Sequence, residues 1–343
     1  MDEAEFAARV EAADVPGAVV ALARGRGPVS VFVAGVRDRK TRVPVDEQTV
    51  FQAASLSKPL FAYAVLHLST QGGFDLDLPI VPLAAAGVPA GLTDDPRLNR
   101  VTARHVLSHT SGLPHRHGDT PPRQRFEPGS AFSYSTIGYG ALQAAVERTT
   151  GEPIETIIAH HVFGPLGMAS STFEPRFASR LATPHVGGEP HPGLDTPAHA
   201  GYTLRTTAAD YARFVLASLD GLGLSERDAA SWLEPRAPLP YDTAEQGDGP
   251  PVTIDPQLGW GLGWGVEPAA RSVFQWGKDV GRRAFAIGHR DLGARAVLLT
   301  NGDGGLRLVD AVVRAAMPSP GEAASWVGRI TGEATAFELP RTR

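Results

Sequence analysis

Residues 55–73 read SLSKPLFAYAVLHLSTQGG, and here the chain changes from β-prone text ending in Val50 and Phe51 to apolar residues at helical spacing. The repeat predicts one helix stopped by Gly72-Gly73, because side chains three and four apart share a helix face and paired glycines end it. Pro59 falls in the first turns, where its missing N–H leaves no intrahelical bond unmade. Ser55 stands where the helix begins and Lys58 three residues on, so the two side chains come within reach of each other on one face.

Outward from this helix toward the N-terminus, residues 4–13 suit a short amphipathic helix. GAVVALARG (17–25) and VSVFVAGVRD (29–38), parted by Gly27-Pro28, predict a β-hairpin. Toward the C-terminus, residues 76–255 read as helices and long Pro/Gly-rich loops, with GYGALQAAVERTTG (138–151) and TAADYARFVLASLDG (207–221) the clearest helices. From Leu258 the runs GWGLGWGV, SVFQWG, AFAIGH and ARAVLLTNG alternate with turns, and LRLVDAVVRAAM closes as a helix. Strands at both ends with helices between them predict an α/β fold of the α+β kind. Residues 1–54 and 256–343 would build one antiparallel sheet flanked by helices, and residues 55–255 a mostly helical domain, with the site in the cleft between them. The tail after Met317 ends in ELPRTR, and its last residues are expected to be loosely ordered.

With 343 residues, 42% apolar and 20% charged, the chain is long enough for a large core and a cleft. A net charge of −5 with scattered arginines offers nothing to steer a phosphate backbone, so nucleic acid is not expected as a partner. The absence of cysteine removes disulfides, thiolate metal sites and cysteine nucleophiles. The acidic, helix-like MDEAEFAARVEAADV lacks the pattern of a secretory signal, so residence in the cytoplasm is expected. The longest candidate membrane segment, residues 79–92, is broken by Pro79, Pro82 and Pro89, and no membrane span is expected.

A serine hydroxyl is a poor nucleophile until a neighbour takes its proton, and the S-x-x-K spacing supplies that neighbour. As a base near pH 7 Lys58 has to be neutral, roughly 4 kcal/mol away from an ordinary ammonium group, so burial and a nearby cation are required. The chain holds only three lysines, Lys40, Lys58 and Lys278, which makes an accidental match less frequent than usual. The helix N-terminus at Ser55 adds a positive dipole end, favouring negative charge on a carbonyl oxygen under attack. Tyr134 precedes a long helix, and its phenol either shares a proton with Lys58 or packs as a loop aromatic on the core. In FQWGKDVGRRAF (274–285), Gly277 would let backbone approach a substrate, while Lys278, Arg282 and Arg283 form either a carboxylate-binding group or a solvated turn. His109, His115 and His117 lack the spacing of a zinc motif, so a structural loop and no metal site are expected.

Taken in order, these segments resemble the serine β-lactamase, penicillin-binding protein and class C-like esterase superfamily over nearly the whole chain. The resemblance is carried by S-x-x-K at Ser55, LSHTSGLP (107–114), the run from PGSAFSYSTIGYG to FGPLGM (128–168), TAADYARF (207–214) and VLLTNGDGG (297–305). It implies a β-lactamase/transpeptidase-like fold, no metal and no cofactor. It further implies Ser55 as nucleophile, Lys58 as its base and Tyr134 as the second proton-transfer group, at the first position of the family's Tyr-x-Asn motif. Thr136 then stands at the asparagine position, where a hydroxyl lacks the reach of an amide. Trp276-Gly277-Lys278 corresponds to the family's Lys/His-Thr/Gly-Gly strand motif, with tryptophan where a cation or imidazole often lies, as in some esterase-like members. By the same analogy the backbone N–H groups of Ser55 and about Asp279 form the oxyanion hole.

The expected activity is hydrolysis of a small ester or amide through an acyl-Ser55 intermediate. Thr136 and Trp276 depart from the lactam-binding pattern and set esterase ahead of β-lactamase. The alternatives are an acyltransferase or amide synthase, in which an amine or alcohol acceptor replaces water, and a binding protein that has lost catalysis.

Overall fold

The protein is described by a computed structural model covering residues 1–84, 92, 95–115, 123–193, 195–240, 254–319 and 321–335. Helix α1 (Glu3–Ala12) starts at Asp2, whose carboxylate accepts the Glu5 amide, and leads into the hairpin β1 (Gly17–Ala23) and β2 (Ser30–Gly35). The short strand β3 (Phe51–Gln52) then gives way to a single 3-10 turn, Ala54–Leu56, and to α2 (Ser57–Thr70). The helical part continues with α3 (Ala103–Leu107), α4 (Thr136–Thr150) and α5 (Ile154–Ile158), which passes through one π-helical turn into α6 (Gly164–Leu166). A small hairpin, β4 (His185–Val186) with β5 (Glu189–Pro190), and strand β6 (Arg205–Thr206), paired with β3, precede α7 (Ala208–Asp220) and α8 (Glu226–Trp232).

The chain then returns to the sheet with β7 (Ala237–Pro240), β8 (Ile254–Trp260), β9 (Gly265–Glu267), β10 (Ser272–Asp279), β11 (Arg282–His289) and β12 (Arg295–Thr300), followed by α9 (Val309–Ala316) and α10 (Ala323–Thr331). Eight strands lie in the order β2-β1-β12-β11-β10-β9-β8-β7, every neighbouring pair antiparallel. The predicted sheet of both termini is therefore present, joined where β1 pairs with β12. Its return begins at Ala237, ahead of the expected boundary at 256. The Pro-rich run APLP reads as loop in sequence, but at the edge of a sheet a proline's missing donor costs nothing.

Side chains alternate across β1: Val19 and Ala21 belong to one apolar core, Ala18, Val20 and Leu22 to the other. Strand β12 does the same with Val297 and Leu299 against Ala296 and Leu298. Both faces of the sheet are covered, the first by the helical domain with α2 and α7, the second by α1, α9 and α10. This explains why the strand text is almost continuously apolar instead of alternating with polar residues.

The tail after Met317 opens with helix α10, ahead of its last residues. Ala323, Trp326, Val327 and Ile330 recur at helical spacing and are buried, and the Trp326 indole N–H donates to the Pro240 carbonyl at 2.8 Å. Residues 336–343, including ELPRTR, lie outside the described residues. Among the described residues, no helix is long and apolar enough to cross a membrane.

Candidate active site

The turn that carries Ser55 is held by side chains from several directions. Ala54 adopts φ +48°, a left-handed conformation unusual for a residue other than glycine. Ser57 fixes it, its hydroxyl donating to the Ala54 carbonyl at 2.7 Å and accepting the Leu204 amide at 3.0 Å. The Tyr211 hydroxyl donates to the Leu56 carbonyl at 2.9 Å. Within residues 51–60 Ser55 alone keeps partial exposure.

Lys58, on the first turn of α2, is fully buried with its Nζ 3.1 Å from Ser55 Oγ. It donates to the Gly201 carbonyl at 2.8 Å, which fixes one N–H and aims the rest of the amine at the serine. Nζ lies 4.9 Å from the centre of the Tyr134 ring and 5.6 Å from that of Tyr139. Tyr134 itself precedes α4, whose N-cap Ser135 accepts the Gly138 amide at 2.9 Å. Its ring packs on Trp276 at 5.2 Å and Trp260 at 5.8 Å, with His115 5.4 Å away. Ser55, Tyr134, His115 and Phe132 open onto a cavity of about 420 Å³, whose remaining described lining is Trp276 and Lys278 from β10 with Trp326, Ile330 and Thr331 from α10. A serine, an amine and a phenol thus converge on the floor of an aromatic cavity, an arrangement suited to acyl transfer through the serine.

Comparison with known proteins agrees with this geometry, since residues 3–316 match the Beta-lactamase family. The chain belongs to that family. Among its relatives, Esterase EstB of Burkholderia gladioli is 30% identical over 59% of this chain and 62% of its own length. Penicillin-binding protein 4 of Amycolatopsis lactamdurans is 32% identical over 60% of each chain. These matches span about three fifths of the relatives' length. In structure, the chain resembles SurE (TM-score 0.73, 24% identity, 99% of this chain and 78% of that one) and EstCE1, described as a hydrolase with promiscuous acyltransferase activity (TM-score 0.68, 23% identity, 88% and 95%). A class C β-lactamase shares the fold at TM-score 0.67 and 19% identity, over 88% of this chain and 92% of that one.

Within this Beta-lactamase family member, the third sequence motif is arranged differently from expectation. Strand β9 covers β10 only from Ser272 to Phe274, which among the described residues leaves 275–279 with an open edge. Trp276 donates its backbone N–H to Gln275 Oε1 at 3.0 Å rather than to β11. Amide directions alternate along an antiparallel strand, so the Lys278 N–H faces the same open edge, while Asp279 pairs with Arg282 across a two-residue turn. Of these two amides, that of Lys278 is the one directed to the open edge. The Asp279 carboxylate accepts from Arg282 Nη2 at 2.6 Å and the Val280 amide at 2.8 Å, away from the cavity lining. Gly277 meets protein backbone instead of substrate: a Cβ there would lie 2.4 Å from the Ala53 carbonyl oxygen, so glycine lets β10 press against the serine turn.

Thr136 also turns from the cavity, its hydroxyl 3.3 Å from His115 Nδ1, and it is His115 that lines the space. Arg282 and Arg283 are buried rather than solvated, and the carboxylates they hold are the protein's own. Arg283 forms a two-pronged pair with Glu333 at 2.8 and 2.9 Å, and Lys278 joins it at 3.0 Å while donating to the Thr331 carbonyl. Burial pushes the Glu333 carboxyl up, and the hydrogen bonds from Arg283 and Lys278 outweigh it, leaving the group below the ordinary glutamate value. His199, next to the Lys58 anchor, donates nothing to Gly201 but accepts its amide on Nδ1 at 2.9 Å; burial, with Lys58 adding to it, lowers this imidazole to about 4. Among the described residues, no three His, Cys, Asp or Glu side chains converge as metal ligands, and His117 lies outside those residues.

Phe132, His115, Trp326, Ile330, Thr331 and Gly201 were not legible as site residues. Phe132 sits two residues before Tyr134, where strand-like alternation would put both rings on one side. The others come from loops and from α10, and no local spacing ties them to Ser55.

Proposed function

We propose that this protein hydrolyses a small ester carrying an apolar, flat acyl group, through an acyl-Ser55 intermediate. The observation that carries the proposal is the 3.1 Å contact of Lys58 Nζ with Ser55 Oγ at the base of the aromatic cavity. Ser55 Oγ attacks the ester carbonyl as its proton passes to the Lys58–Tyr134 pair. The carbonyl oxygen, now negative, accepts from the amides of Ser55 and Lys278. Collapse breaks the bond to the alcohol oxygen, the held proton goes to that alcohol, and the acyl group stays on Ser55. Water then attacks the acyl-enzyme, giving its proton to the same pair, and Ser55 recovers it as the acid leaves.

Ester is favoured over β-lactam because Thr136 spends its hydroxyl beside His115 and Trp276 fills the position of a charged or imidazole side chain. The similarity to an esterase points the same way. Acyl transfer is the second reading, favoured by the mostly aromatic lining, which makes an apolar acceptor a competitor of water; the likeness to a hydrolase with acyltransferase activity is in keeping with it.

Intact-protein mass spectrometry after exposure to activated aryl esters, β-lactams and a phosphonate tests both. A mass adduct that is lost in Ser55→Ala, with free acid as product, is the expected result. An acylated acceptor as main product would move the assignment to transfer, and equal labelling of Ser55→Ala would remove the mechanism.

A further inference from the structure

His109 belongs to none of the steps above, yet it is the residue most closely wrapped around Tyr134. It is completely buried and adopts φ +56°, a left-handed conformation that histidine takes rarely. That conformation turns both its carbonyl and its ring onto one segment. The Ser133 amide donates to the His109 carbonyl at 2.7 Å, and the Ser135 amide donates to His109 Nδ1 at 3.1 Å. The backbone N–H groups of both residues next to Tyr134 are therefore held by the same residue. Between those bonds the imidazole lies against the Tyr134 ring, centre to centre 4.2 Å at an angle of 35°.

Because Nδ1 accepts a backbone N–H, the ring proton resides on Nε2. Among the described residues Nε2 is buried without a hydrogen-bond partner, in a ring packed by Phe132, Tyr139 and Trp260. A residue needed only to fill this space would leave no polar atom stranded there. The polar function that remains is the Nδ1 acceptor. Burial first, then Lys58 and His115, depress this imidazole well below the ordinary value, in keeping with a neutral ring. The titratable groups facing it are Tyr134, Tyr139, His115 and Lys58.

We propose that His109, as the neutral Nε2–H tautomer, is a positioning residue that clamps Tyr134 over Lys58 by holding the amides on either side of it. This rests on Tyr134 taking part in proton transfer. His109→Phe keeps the ring and removes the acceptor, and His109→Asn restores an acceptor near Nδ1 in a residue that tolerates the same backbone conformation. Expected for His109→Phe is a fall in kcat of about 100-fold with KM little changed, as for a misplaced catalytic group, and recovery of most of that loss in His109→Asn. In a Tyr134→Phe background the His109→Phe change should add little further loss of kcat, whereas a merely structural role would add its full effect.

Unchanged kcat in a folded His109→Phe, or equal losses in the Phe and Asn variants, would overturn the proposal. Should His109→Phe not fold, ¹⁵N chemical shifts of the wild-type imidazole decide: a protonated Nε2 and bare Nδ1 at pH 7 support the clamp, and the opposite tautomer or an imidazolium refutes it. If the wild-type protein takes no label on Ser55, the mechanism itself fails; loss confined to the His109 variants separates the two ideas.

Discussion

At the scale of single residues, the proposed chemistry depends on an amine held in place by a backbone carbonyl. Lys58 is anchored by the Gly201 carbonyl, and Gly201 is oriented through His199, so the base is positioned from a loop rather than from its own helix alone. Lys58→Ala should lower kcat/KM for an aryl ester by about 10²–10⁴-fold, the range of general-base loss, in a steady-state assay. Gly277→Ala should be nearly as damaging although it removes nothing. Its Cβ would stand 2.4 Å from the Ala53 oxygen, and the repulsion would drive β10 and the Lys278 amide away from Ser55. A fall in kcat of about 10²–10³-fold is expected, as for loss of an oxyanion donor, and a variant with wild-type kcat would refute that account of the strand.

At the scale of elements, α10 gives the cavity more of its described lining than any other element. It supplies Trp326, Ile330 and Thr331 to the cavity and is tied down at its end by Lys278 and by Glu333 on Arg283. Ile330→Ala should widen the cavity and shift the kcat/KM optimum toward longer acyl groups, and Ile330→Trp should shift it toward acetate, read from a series of p-nitrophenyl esters. Glu333→Ala removes the two-pronged partner of the buried Arg283, leaving the 3.3 Å contact to Asp303 and the Asp279 and Arg282 carbonyls, which should cost about 1–3 kcal/mol in a denaturant titration.

For the whole molecule, buried histidines set the response to acid. His199 has a folded value of about 4 against about 6.5 when unfolded, so the unfolded chain binds the proton more tightly. Its contribution is complete above pH 6.5 and is lost as pH falls toward 4, by about 3 kcal/mol in all. His67, His105, His109 and His161 are lowered by burial and act with the same sign. Glu333, held below its ordinary value, adds a loss of stability at still lower pH. Melting temperature should therefore decline from pH 7 to pH 4, and less steeply in His199→Asn, which can still accept the Gly201 amide but cannot charge. Parallel declines in the two proteins would contradict the assignment.

The sequence by itself determined what depends on spacing along the chain. Ser55 and Lys58 meet because they lie three residues apart across the turn that enters α2, Tyr134 leads into α4, and apolar runs at the two ends mark the strands of one sheet. Tertiary structure alone decided the rest. The register of β10 chose Lys278 over Asp279 for the open edge, since amide direction depends on which strand lies alongside. A proline-rich edge became β7, and residues after Met317 became α10, because each is stabilised by surfaces made elsewhere in the chain. The cavity draws its walls from both ends of the molecule for the same reason: hydrophobic burial joins residues by surface, not by distance along the sequence.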